Sequence, residues 1–320
     1  MKPRAKRRTW LYGAGVALAA ALLFVGYGIT VPPDPGTRLS GAAILAQVGD
    51  YPRALEVCDL TIREHPDHAE AHLFRASILS MAGRHIEALA AYDRSLVLLT
   101  DETILRDIVA DRASVLLALG RSAEFRAQRE LLAATAIDHR VHLLDGLAAQ
   151  TAGDWAGAAG AYRQAVAAAP GDARIAFRLW EAEMGRGEAA LAAARWEEAK
   201  AAFDAAREAV PAEPRAHLRA AEARLALHDA MGAIEVLREV GRSTPGIAPL
   251  VFRAATMELD EGRGTRAYWA LQAALQSDPE GIRALLAAEP SWRRCGGDPR
   301  VLEALSTNET PGKERLTGRQ

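Results

Sequence analysis

Residues 146–170 read GLAAQTAGDWAGAAGAYRQAVAAAP, and this stretch decides the fold. It opens on a small residue, Gly146, and reverses at Gly153-Asp154. Ala158 follows early in the next segment, Tyr162 one turn later, and Pro170 closes the pattern. Alanine-rich segments favour helix, a central glycine supplies the reversal, and a proline stops the second helix. The same order recurs from about residue 38 to 279. The turn position runs Gly49, Gly83, Gly120, Gly153, Ala194, His228, Gly262, and the closing position runs Pro66, Thr100, Ile137, Pro170, Pro211, Pro245, Pro279. Both series step by 34, 37, 33, 41, 34 and 34 residues. Two independent series in one register imply about seven stacked helical hairpins, with short insertions before the third and fifth turns.

Two further columns of small residues follow from that register. Ala54, Ala88, Ala158, Ala199, Ala233 and Ala267 share one place early in the second helix. Ala42, Ala76, Ala113, Gly146, Gly187, Ala221 and Ala255 share one place in the first. Small side chains there let two helices approach at the short end of the usual ~8–10 Å interaxial distance. Tyr92, Tyr162 and Phe203, one turn after the small residue, are expected to fill the groove toward the next hairpin.

These residues resemble the tetratricopeptide repeat, whose hairpin carries leucine-glycine, tyrosine, alanine, an aromatic, alanine and proline at set offsets. The resemblance covers about three quarters of the chain. The third copy departs most: Phe125 stands where six copies have alanine, and Arg129 where an aromatic is usual. It implies an all-α, right-handed superhelical solenoid that recognises partners and carries out no chemistry. In such an array each repeat packs on its neighbours, so 320 residues need not divide into two ordinary domains.

The first 30 residues form a separate device. Residues 1–9 are basic, with Lys2, Arg4, Lys6, Arg7 and Arg8, and an uncharged run from 10 to 30 follows. That run is long enough to cross about 30 Å of hydrocarbon as a helix. Trp10, Tyr12 and Tyr27 stand near its ends, where amphipathic aromatics favour the headgroup region. The expectation is an uncleaved signal anchor with the N-terminus cytoplasmic and the repeats extracytoplasmic, periplasmic in a Gram-negative-type cell. The alternative is a cleaved signal peptide, for which the apolar run is long and Gly26-Tyr27-Gly28 a poor cleavage site. A Pro-rich spacer at 31–37 then leads to the array at 38–279, a helical cap at 280–306, and a polar tail at 307–320 that reads as disordered. Within the cap, Ile282 to Ala288 and Arg300 to Ser306 read as short helices.

Chemistry is sparse. The net charge of −2 gives no field for nucleic acid. Cys58 falls in the aromatic column and reads as core, while Cys295 lies in a turn far along the array, so no disulfide is expected. His68 and His72 have the i, i+4 spacing of helical zinc ligands, but His72, His142 and His217 recur at one repeat position and read as packing residues. Gly262-Arg-Gly264 is a hairpin turn, with no lysine after it to make a phosphate loop. No nucleophile or carboxylate pair sits in a recognisable catalytic motif. The expectation is a non-enzyme without cofactor, metal or small-molecule substrate.

What remains is the concave groove lined by the first helices. Tetratricopeptide geometry places Leu73, Phe74, Ser77, Leu143, Leu144, Leu147, Leu218, Arg219, Glu222, Phe252 and Arg253 there. The relatives that clamp a C-terminal carboxylate use lysines and asparagines at such places, and this chain has neither. The apolar residues point instead to an apolar or helical segment of a protein partner. The expected role is a membrane-anchored scaffold or assembly factor, with a client-holding chaperone or a structural spacer as alternatives.

Overall fold

A computed structural model describes residues 34–240, 244–289, 291 and 292. The basic N-terminus, the run read as a membrane anchor, Cys295, the second cap helix and the tail lie outside the described residues. Among the described residues there are fifteen α-helices and no strand, and no helix is long and apolar enough to cross a membrane.

The chain divides into two compact units between Ile137 and Asp138. The first holds three hairpins: α1 (Pro35–Gln47) with α2 (Tyr51–Glu64), α3 (Ala69–Met81) with α4 (His85–Leu98), and α5 (Glu102–Ala118) with α6 (Ser122–Thr135). The second holds four: α7 (His139–Thr151) with α8 (Trp155–Ala168), α9 (Ala173–Ala192) with α10 (Trp196–Ala209), α11 (Pro214–Ala226) with α12 (Ala230–Arg238), and α13 (Ile247–Asp260) with α14 (Gly264–Ser277). A single helix, α15 (Pro279–Ala288), follows. The two long repeat steps lengthen first helices, giving α5 17 residues and α9 20 against 13 in α3 and α7. Residues 35–37, read as spacer, form the first turn of α1, because Asp34 accepts the Thr37 N–H and Pro35 suits the first helical position.

The seven turns are built alike. Gly49, Gly83, Gly120, Gly153 and Gly262 have φ between 72° and 82°. Ala194 and His228 take the same left-handed conformation at 54° and 61°. In every turn the next residue's N–H reaches back to a carbonyl in the last turn of the preceding helix at 2.8 or 2.9 Å, for example Arg84 to Leu79 and Asp154 to Ala149. This is the Schellman closure, and it satisfies carbonyls that a helix end would otherwise orphan. After it six of the seven second helices start in one of two ways. Asp50, Asp154 and Asp229 accept a backbone N–H as N-caps, whereas Arg84, Arg121 and Arg195 pair with the glutamate three residues on.

A residue with a Cβ is strained at positive φ by about 1 kcal/mol or more. Ala194→Gly and His228→Gly should therefore each stabilise the second unit by about 1 kcal/mol, read as a rise in the midpoint of urea unfolding.

Alanine is the commonest residue of the core. All six alanines of the second-helix column are fully buried, as are Ala42, Ala76, Ala113, Ala221 and Ala255 of the first. At Gly146 even a Cβ would come under 3.0 Å from the Tyr162 ring, and at Gly187 the same holds for the Phe203 ring. The aromatic column thus packs back into its own hairpin, and Tyr162 also donates to Gln150 Oε1 at 2.8 Å. The expected contact with the next hairpin is present too, since Tyr162 clusters with Leu179 and Ala182 of α9. The third copy keeps the register: Gly120 turns, Ala113 is buried, and Phe125 is core in place of the missing alanine. Ion pairs join equivalent places on successive hairpins of the first unit, Asp59 with Arg75 at 2.7 Å and Asp93 with Arg112 at 2.8 Å.

The last hairpin is closed by α15 and by Trp292. The Trp292 ring is buried, lies 6.3 Å from the Phe252 ring, and its indole N–H donates to Thr256 Oγ1 at 2.9 Å.

Candidate functional site: a groove on the first helices

In the first unit the first helices of all three hairpins line one cavity of about 350 Å3. Helix α1 contributes Ala43, Ala46 and Gln47; α3 contributes Leu73, Phe74, Ser77, Ile78 and Met81; α5 contributes Asp107, Ile108 and Asp111. The volume lies at the small end of the ~300–1,000 Å3 range of ligand pockets, suited to a few anchoring side chains. Met81 is 54% exposed, and its flexible thioether can adapt to a ligand's shape.

The wall contributed by α5 is acidic. Asp107 and Asp111 are the charged residues of the lining. The arginines of α5 turn elsewhere: Arg106 donates to the carbonyls of Leu132 and Ala136, and Arg112 to Asp93. Burial pushes the Tyr92 phenol well up, and the nearby Asp111 charge adds to that.

Three of the expected groove residues, Leu73, Phe74 and Ser77, therefore meet in one cavity. The structure corrects two others. Leu144 is fully buried and Phe252 is buried against Trp292, so both are core residues that no ligand reaches. Adjacent positions on a helix differ by about 100°, so Leu144 faces the core while its neighbour Leu143 does not. Leu143 and Leu147 are half-buried against the Tyr162 cluster, and Leu218 against the last one. Arg219 bridges Glu188 of α9 at 2.9 Å and Glu222 of its own helix at 2.6 Å, which ties two first helices together. Arg253 is exposed. The residues missed are those of α1 and α5, though the repeat offsets could have found some: Ala43 occupies the place of Ser77, and Asp111 that of Phe74.

The remaining polar groups serve the scaffold. Cys58 is buried, and burial pushes its thiol up to about 11, far from a reactive thiolate. His68 caps α3, His72 Nε2 bonds with the Pro66 carbonyl at 2.8 Å, and buried His217 lies 3.2 Å from the Glu213 carbonyl. Among the described residues no histidine, cysteine and carboxylate side chains gather as a metal cluster. Buried Glu183 pairs with Arg163 and Arg186, and buried Glu258 with Arg263. In the second unit a further cavity of about 510 Å3 lies among α12, α13 and α14 beside Arg238 and Trp269.

Among the described residues the chain is an all-helical array of hairpins, and in the first unit the first helices line a groove. The model of the tetratricopeptide repeat matches residues 42–102 and 184–246. Several solved structures are similar to this chain. The type IV pilus biogenesis factor PilW is 18% identical, with 65% of this chain and 93% of that one covered and a TM-score of 0.46. The C-terminal part of a repeat protein from Cytophaga hutchinsonii is 15% identical over 77% and 98%, at 0.47. A human IFIT1 dimer with PPP-AAAA is 16% identical over 92% and 75%, at 0.46. The curated proteins give no match.

Proposed function

We propose that this chain is a membrane-tethered interaction scaffold or assembly factor that seats an apolar or helical segment of a protein partner in the groove of α1, α3 and α5. One observation carries the reading. Three successive first helices place Leu73, Phe74, Ile78, Met81 and Ile108 around one open cavity instead of closing on each other. Helix-in-groove recognition needs that arrangement, an apolar floor with room for anchoring side chains. The tether rests on the sequence alone: five cations precede an uncharged run of membrane-spanning length, which favours repeats on the extracytoplasmic side.

A photo-crosslinking residue at Ser77 in the membrane-bound protein tests both parts. The expected result is a discrete protein adduct, identified by mass spectrometry and lost on Phe74→Glu. An aromatic anchor of this kind contributes at least about 2 kcal/mol, so affinity should fall about 30-fold or more. Far-ultraviolet circular dichroism should be unchanged, since Phe74 is only half-buried. An adduct that survives Phe74→Glu would remove the groove from the mechanism.

A further inference from the structure

Helix α1 has one face that nothing among the described residues covers. Ile44, Ile78 and Val115 hold the same place in successive first helices, two residues after the small-residue column. Ile78 and Val115 are 1% exposed, because α3 packs on α2 and α5 on α4, whereas Ile44 is 62% exposed. One turn on, Val48 is 74% exposed. The exposed positions of this face, Thr37, Ser40, Gly41, Ile44, Gln47 and Val48, carry no charge. Arg38 is the only charged residue of α1, and it is drawn into an ion pair with Glu64 of α2.

The place of α1 in the chain limits what can lie against that face. The uncharged run ends at residue 30, and Asp34 already caps α1. Four residue steps reach about 14 Å at most, so a chain that crosses the bilayer up to residue 30 starts α1 beside the lipid. The run itself is then committed to the span and cannot fold back over Ile44 and Val48. From Pro35 to Gln47 the helix is about 20 Å long, and its uncharged face runs along all of it.

We infer that α1 lies along the bilayer surface, with Ile44 and Val48 inserted at the boundary of lipid headgroups and acyl chains. Two aliphatic side chains would hold a free protein there only weakly, but the tether makes the contact intramolecular. With no cation on the face, the contact needs no anionic lipid and withstands salt. Helix α1 also lends Ala43, Ala46 and Gln47 to the cavity, so the groove opens within about one helix diameter, ~10–12 Å, of the lipid. A partner segment is thus met at the membrane surface. This seating depends on the tether proposed above and adds the surface on which the first hairpin rests.

The test uses the full chain in phosphatidylcholine nanodiscs, with benzoylphenylalanine placed in separate variants at Leu18, Ile44, Val48 and Val97. Leu18 lies in the uncharged run and reports the tether, while Val97 of α4, 75% exposed, matches Val48 in exposure. After irradiation, peptides carrying lipid are quantified by mass spectrometry. Lipid adducts should form at 18, 44 and 48. The yields at 44 and 48 should exceed that at 97 by about tenfold or more, the gain of an aliphatic side chain on leaving water. That margin should hold from about 50 to about 500 mM salt. Adducts at 18 without the excess at 44 and 48, or an excess lost in salt, overturn the seating and leave the tether standing. Adducts from 44 to residues 10–30 or to a second copy of the chain also overturn it, and they identify the other occupant. No lipid adduct at 18 overturns the tether, and the seating with it.

Discussion

Gly187→Ala should destabilise the second unit by about 1–3 kcal/mol, although alanine is the better helix former by up to about 1 kcal/mol. The new Cβ would lie under 3.0 Å from the Phe203 ring, which is fully buried and has nowhere to move. Removing the ring itself, by Phe203→Ala, should cost about 3–5 kcal/mol, because the alanines around it cannot collapse into the space. The two changes should not add. With the ring gone the alanine at 187 meets no clash, so the double variant should cost at least about 1 kcal/mol less than the sum. Urea unfolding followed by circular dichroism measures all three. Additive costs would mean that the ring and the glycine are not in contact.

A larger effect is expected at a position that looks like binding surface in the sequence. Leu144→Glu places a carboxylate at a fully buried site and removes a leucine from the core. The cost should exceed about 4 kcal/mol, enough to unfold the α7–α8 hairpin. The same change at Leu143, which is half-buried, should cost about 1 kcal/mol and leave the hairpin helical. Limited proteolysis followed by mass spectrometry separates the two: cleavage within 139–168 should be fast in the Leu144 variant and slow in the Leu143 variant. Comparable cleavage of both would mean that α7 is turned differently about its axis.

The fold was legible because its determinants are local and repeated. A left-handed residue is needed at each hairpin turn, and the period alone located all seven, Ala194 and His228 included. The columns of small residues were legible for the same reason, since close approach of two helices demands them wherever they fall. The groove was legible only in part. Leu143 and Leu144 have the same composition and differ only in angle about the helix axis. Phe252 has the chemistry of a groove residue and is covered by Trp292, 40 residues downstream and outside the repeat pattern. Asp111 holds the place of Phe74 by the repeat offset, but in the copy that departs most from the pattern, where polar chemistry hid it. Asp107 joins the lining only where α1, α3 and α5 come together.

The burial of Trp292 also bears on how copies of this chain behave toward one another. A hairpin array has an inherent polarity, and a bare last hairpin offers the same apolar seat that each hairpin offers its successor. A second molecule could dock its first hairpin there, and a third could follow, head to tail, in an open filament. Here α15 and the indole, hydrogen-bonded to Thr256, already occupy that seat at the downstream end. That apolar seat is therefore filled from within the same chain.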